Sequence, residues 1–171
     1  MAEKRYEDIV PGQKPLKTML ARAVFWFLGR GFQAAAALDS KVREETAGWP
    51  EQFTMVMKIE PRGPVMVMGK RKGEFVYLGS KEVEAHLAVS FKSIDAALKV
   101  LLGLSGIDQS FAEHRFSMKG DIIAYGMPLT RCLYRVEAYL FPPFIARRIL
   151  KKMPEKERGM LRIYLKTLFN L

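Results

Sequence analysis

From Phe53 onward the apolar side chains stop recurring at helical intervals and begin to alternate, and that change of period constrains the fold most. Phe53, Met55, Met57 and Ile59 are interleaved with Thr54, Val56, Lys58 and Glu60, the pattern of a strand with one face on a core. Pro61-Arg62-Gly63-Pro64 predicts a turn, residues 65–70 a second strand, Lys72-Gly73-Glu74 another turn, and residues 75–78 a third strand. Ala85, Leu87, Val89 and Phe91 alternate with His86, Ala88 and Ser90 and give a fourth. Four consecutive strands joined by short connections predict an antiparallel meander.

Helical spacing brackets these strands. Leu16, Met19, Leu20, Ala23 and Phe27 mark a first helix, Gly29-Arg30-Gly31 predicts its end, and a second helical run covers residues 32–47. Ser93 suits the N-cap of a helix bearing Ile94, Ala97, Leu98, Leu101 and Leu102, with Gly103 and Gly106 closing it. Asp108 is placed to cap a short helix containing Phe111, and residues 115–119 alternate once more as a fifth strand. Asp121 then caps a helix running toward Leu140, with a kink or restart expected at Gly126-Met127-Pro128. Beyond Pro142-Pro143 the pattern predicts two amphipathic helices, over about 144–152 and 154–169. The fold class is therefore α+β.

At 171 residues with 49% apolar content, the chain supports one core with helical additions at the ends. The lone cysteine, Cys132, excludes an internal disulfide, a zinc cluster and a CxxC pair, and suits a reducing, cytoplasmic setting. The N-terminus lacks the basic-then-apolar order of a secretory signal. The most apolar stretch, residues 23–38, is interrupted by Arg30 and two glycines and is shorter than the roughly 20 residues of a spanning helix.

A search for chemistry returns little. His86 and His114 are the only histidines, and both read as surface residues. No G-x-S-x-G elbow, Walker loop or GxGxxG turn is present, and residues 69–73 read as a charged hairpin turn rather than a phosphate cradle. Glu82, Glu84, Asp108, Glu113 and Asp121 are explained by capping and solubility. The expectation is a non-catalytic protein with no metal and no cofactor. Two features stand out instead. There are ten methionines, with Met55, Met57, Met66, Met68, Met118 and Met127 in or beside the strands; such side chains either fill a core or line a pocket that adapts to its guest. The net charge is +10, and residues 144–171 hold eight Lys/Arg against two Glu, a patch that suits a solvated helix face, anionic headgroups or nucleic acid.

The stretch Phe111-Ala112-Glu113-His114-Arg115-Phe116-Ser117-Met118-Lys119-Gly120-Asp121 resembles the signature of the sterol carrier protein type 2 family. Phe111 matches its aromatic, Phe116 and Met118 its inward strand positions, and Gly120-Asp121 the turn that opens its apolar helix; His114 stands where many members have glycine. The order of elements agrees over about residues 34–140. The resemblance implies a five-stranded, mainly antiparallel sheet with helices packed on one face around an apolar tunnel, and extra helices at both termini. It implies three parts: an N-terminal helical extension (1–33), a lipid-binding domain (34–140) and a basic helical C-terminal extension (141–171).

Family members hold sterols, fatty acyl chains, phospholipids or polyprenyl intermediates of quinone synthesis. Each methylene moved from water into such a tunnel gains about 0.8 kcal/mol, so recognition needs no polar motif. Met55, Met57, Leu87, Val89, Ile94, Leu98, Leu101, Phe116, Met118, Ile122 and Ile123 are the expected lining. Arg147, Arg148, Lys151, Lys152, Arg158 and Arg162 are the expected contacts to anionic membrane, with Trp26 and its neighbours beside them. Two other readings stand: an accessory subunit that binds a partner enzyme through its terminal helices, and a nucleic-acid-associated protein. The second is disfavoured because the aromatics are placed for burial rather than interleaved with arginines.

Overall fold

A computed structural model describes residues 14–143, 146, 154 and 159–169. Its elements run α1 (Pro15–Leu38), α2 (Ser40–Ala47), β1 (Thr54–Ile59), β2 (Val65–Arg71), β3 (Glu74–Gly79), β4 (Leu87–Phe91), α3 (Ile94–Leu101), α4 (Ile107–Ala112), β5 (Phe116–Gly120), a π-helical turn (Ile122–Gly126), α5 (Met127–Leu140) and α6 (Met160–Phe169). The predicted α+β class, the five strands and the helices at both ends are all present.

The sheet order is β3-β2-β1-β4-β5, antiparallel except between β1 and β4, which run parallel. The expected four-strand meander therefore ends after three strands. Alternation states which face a residue occupies but not which strand lies beside it. The β2-β3 hairpin acts as the crossover that a parallel pair requires, and β4 returns to the free side of β1. The tight turn between β2 and β3 places Lys72 at φ 52° and Gly73 at φ 76°, the double positive φ of the hairpin turn whose twist matches its strands.

Register lines up one apolar face across all five strands. Tyr77, Met68, Met55, Leu87 and Gly120 form one row; Met66, Met57, Val89 and Met118 form the next; Ile59, Phe91 and Phe116 form a third. Phe25 and Phe32 of α1, Ala97 and Leu98 of α3, and Leu129, Val136 and Tyr139 of α5 join the same buried cluster, so the helices share one face of the sheet. Four of the methionines, Met55, Met57, Met66 and Met68, form a buried block at the centre of that face. For most of that block the core reading holds.

The glycine pair in α1 does not break the helix. A Cβ at Gly29 would come within 2.6 Å of the Tyr77 ring, and one at Gly31 within 2.7 Å of the Leu140 side chain. These glycines let the α1 backbone press against β3 and α5, a packing role that outweighs their cost to the helix. The break comes at Asp39, whose extended backbone (φ −106°, ψ 120°) ends α1 and whose carboxylate accepts the Lys41 and Val42 amides to start α2. Asp39 is fully buried. The same carboxylate receives Arg135 Nη2 at 2.7 Å and the Tyr139 hydroxyl at 2.7 Å, tying the α1-α2 joint to α5. Burial would raise the Asp39 carboxyl, but Arg135, Tyr139 and the Val42 amide hold it below the ordinary aspartate value.

Ser93 caps α3 through the Ala96 amide as expected. Asp108 lies instead in the first turn of α4, whose N-cap is Gly106. After α4 the chain turns through His114 at φ 54°, a left-handed conformation that explains why glycine suits that place in the resembling signature. Gly120 has φ 127°, and a Cβ there would meet the His86 carbonyl oxygen at 2.2 Å, so the end of β5 demands a residue without a side chain. Asp121 caps the π-helical turn through the Ala124 amide at 2.8 Å, and α5 restarts at Met127-Pro128 where the proline predicted a break. The Tyr164 hydroxyl of α6 donates to the Leu140 carbonyl at 2.6 Å, and the Tyr164 ring stacks on Phe27 with centroids 6.1 Å apart. The predicted helix over 144–152 and the first turns of that over 154–169 lie outside the described residues.

Candidate functional site

Between the apolar face of the sheet and the helices lies a cavity of about 230 Å³. The floor is Met57 of β1, Val89 and Phe91 of β4, and Phe116 and Met118 of β5. One wall is Val24, Phe27 and Leu28 of α1; another is Val100, Leu101 and Leu102 at the end of α3, with Ile107 of α4. Leu133, Glu137 and Leu140 of α5, with Phe141 after it, close the space. Fifteen of these sixteen residues are apolar, and Glu137 is the exception. A second, more open hollow of about 390 Å³ lies beside the first and shares Ile107, Phe116 and Met118 with it. The half-exposed Phe111 and Met127, together with Ile122, line its outer side.

Of the residues predicted to line a pocket, Met57, Val89, Leu101, Phe116 and Met118 do so. Met55 and Leu87 are buried in the next row of the sheet, and Ile94 and Leu98 pack into the core from α3; none of the four reaches the cavity. Ile122 lines the second hollow only, and Ile123, at 80% exposure, faces solvent. The wider winding of the π-helical turn shifts the phase assumed for an α-helix there, which carries Ile123 outward. Arg162 is exposed on α6, whereas Arg147, Arg148, Lys151, Lys152 and Arg158 lie outside the described residues.

The sequence reading missed the α1 wall, because the break it expected at Gly29 hid the packing role of Phe27 and Leu28. It also missed α5. There the apolar spacing Leu129, Leu133, Val136, Leu140 places Glu137 on the inward side, and an acid in that phase was a readable signal.

No family model matches the chain, and no curated protein matches it. Among solved structures the chain is similar to a ubiquinone synthesis protein, UbiJ-SCP2, with 17% identity and a TM-score of 0.42, over 74% of this chain and all of that one. What the cavity can hold follows from its own walls.

Electrostatically the site is spare. Glu137 is 8% exposed, its Oε2 has no hydrogen-bond partner within the protein, and burial pushes its carboxyl up to about 8, so at neutral pH it is mainly a neutral acid. One turn before it, Tyr134 is raised by burial and by Asp108 of α4. Among the described residues no arginine, lysine or histidine lines the cavity. Cys132, on another side of α5, is fully buried with its thiol pushed up to about 12 by burial, which makes it a poor nucleophile. His86 accepts the Thr54 amide at Nδ1, 3.2 Å away. Among the described residues no group of three or more His, Cys, Asp or Glu side chains could hold a metal ion, and no helix is long and apolar enough to cross a membrane.

Proposed function

We propose that this chain is a non-catalytic carrier that binds a hydrophobic small molecule between its sheet and helices. The observation that carries the reading is a cavity whose described lining is apolar at fifteen of sixteen positions. An engineered apolar cavity of about 150 Å³ admits benzene, so about 230 Å³ admits a ring with a short tail or a segment of hydrocarbon chain. Longer guests of the sterol, fatty acyl, phospholipid or polyprenyl-quinone class require the second hollow as well. Met118 stands between the two, and its unbranched side chain can rotate to join them at little cost. Joined, they fall in the range of about 300–1,000 Å³ usual for small-molecule sites.

Extraction of the purified protein followed by mass spectrometry tests the reading directly, and displacement of a fluorescent fatty acyl probe measures affinity. Leu101→Trp, which fills the cavity from the α3 wall, is expected to weaken probe binding at least about tenfold while circular dichroism stays unchanged. Equal binding by the variant, or a protein that yields no lipid and binds no probe, refutes it.

Docking on anionic membrane belongs to the same proposal. Leu16, Met19, Leu20 and Trp26 are exposed on α1, as are Leu161, Leu165, Leu168 and Phe169 on α6 beside Arg162; Arg147, Arg148, Lys151, Lys152, Lys156 and Arg158 fall between α5 and α6 in the sequence. Exposed apolar side chains in a basic chain suit a headgroup interface. Cosedimentation with phosphatidylserine-containing vesicles is expected to be strong at low salt and to fall severalfold by 0.5 M salt. Binding that ignores both salt and lipid charge would show apolar insertion without the cations, and no binding at all would refute membrane docking.

A further inference from the structure

We infer that Glu137 is the polar anchor of the cavity, and that the preferred guest is an uncharged amphiphile that enters polar end first and hydrogen-bonds this carboxyl through a hydroxyl or carbonyl group. The inference rests on the proposed carrier function and names the ligand chemistry of the same site.

Three observations converge on it. Among the described residues only two buried side-chain polar atoms have no partner, Trp49 Nε1 and Glu137 Oε2, and of these only Glu137 lines the cavity. A carboxyl group taken out of water with an oxygen left unmade costs stability that a leucine at the same place would not. The chain elsewhere satisfies its buried acid thoroughly: Asp39, on the far side of α5, holds Arg135, Tyr139 and two backbone amides. The partner missing at Glu137 is therefore one that arrives with the guest.

The walls then decide its charge. A carboxylate or phosphate head would be buried with no cation among the described lining residues to compensate it, and the desolvation cost would go unrecovered. A neutral Glu137, by contrast, donates to a carbonyl and accepts from a hydroxyl. The ionisable group that Glu137 faces on its own helix is Tyr134 one turn earlier, itself bonded to Asp108 of α4. Neither Tyr134 nor Asp108 supplies a positive charge.

The test uses four probes of one shape, sized to the cavity: butylbenzene, 4-butylphenol, 4-butylbenzoate and 4-butylbenzylamine. Their affinities for the full chain are measured at pH 7 by calorimetry or ligand-observed NMR. In the wild type 4-butylphenol is expected to bind about tenfold tighter than butylbenzene, the worth of one buried hydrogen bond, and both charged probes are expected to bind at least tenfold weaker than the phenol. Glu137→Leu should erase the difference between phenol and hydrocarbon while still binding butylbenzene, and Glu137→Gln should retain most of it. If butylbenzene binds as well as the phenol, if the phenol's advantage survives Glu137→Leu, or if a charged probe binds best, the anchor is wrong and the carrier reading stands. If none of the four binds, the carrier reading falls and the anchor falls with it.

Discussion

Replacing Asp39 with alanine is expected to cost this protein about 3–5 kcal/mol of stability, enough to lower Tm by roughly 10 °C in a chain of this size. The expectation comes from how many groups share one carboxylate. Asp39 is fully buried, yet it ends α1, caps α2 through two amides, and takes up both the Arg135 guanidinium and the Tyr139 hydroxyl. Arg135 is itself only 17% exposed. Losing the acid removes a charge that compensates a largely buried guanidinium, and a broken buried pair costs far more than an exposed one. Loss of the cap alone accounts for about 1 kcal/mol of the total. Asp39→Asn, which can still cap, should recover that part only. Urea denaturation followed by circular dichroism measures the series; a loss under about 1 kcal/mol for Asp39→Ala would show that the network contributes little. Because the folded state holds this carboxyl below its ordinary range, its stabilising contribution is complete above the ordinary aspartate value and fades as pH falls below it.

The second large effect has the opposite sign with pH. In the unfolded chain Glu137 titrates at the ordinary glutamate value of 4.5, whereas in the fold burial pushes it up to about 8. Between these values the folded protein holds a proton that the unfolded chain has released. Stability contributed by this group is therefore full below pH 4.5 and is lost progressively as pH rises toward 8, by on the order of 4 kcal/mol. The depressed carboxyls of Asp39, Asp95 and Glu113 act at lower pH and do not mask the window. Glu137→Gln should flatten the profile between pH 5 and 8, and the variant should exceed the wild type at pH 8. Chemical denaturation at three pH values across that window decides it: a wild type as stable at pH 8 as at pH 5.5, or a Gln variant with the same slope, is incompatible with a buried acid.

Much of the architecture was legible because burial is written into spacing. The alternation at Phe53, Met55, Met57 and Ile59, or at Leu87, Val89 and Phe91, gives both the strand and its inward face, and the caps at Ser93 and Asp121 form as their side chains dictate. What period cannot carry is partnership. The same alternation serves β4 whether it lies beside β3 or beside β1, and the parallel pairing with β1 is decided by contacts far apart in sequence. Glycine was misread for a related reason: Gly29 and Gly31 look like a terminus until Tyr77 and Leu140 are placed against them. For the cavity, the strand floor at Met57, Val89, Phe116 and Met118 could be read, since those positions share a face. Of its helical walls only Leu101 was read, because a side chain that lines a space and one that fills it carry the same hydrophobic pattern. Glu137 was the exception that could have been noticed.

The way α1 is fastened says where this protein can breathe. Its 24 residues make a beam about 36 Å long, pinned near the start by Lys14 and Lys17 on Asp95 of α3, midway by the Tyr77 contact at Gly29 and the Phe27-Tyr164 stack, and at the far end by Asp39. A beam held at three points does not swing. Across the cavity, α4 buries only Ile107 and Ser110, and the π-helical turn only Gly126. Sparse burial of that kind marks the part of a structure that opens at least cost. A guest of the proposed kind should accordingly enter past α4 and the π-helical turn, with the long helix as the fixed frame.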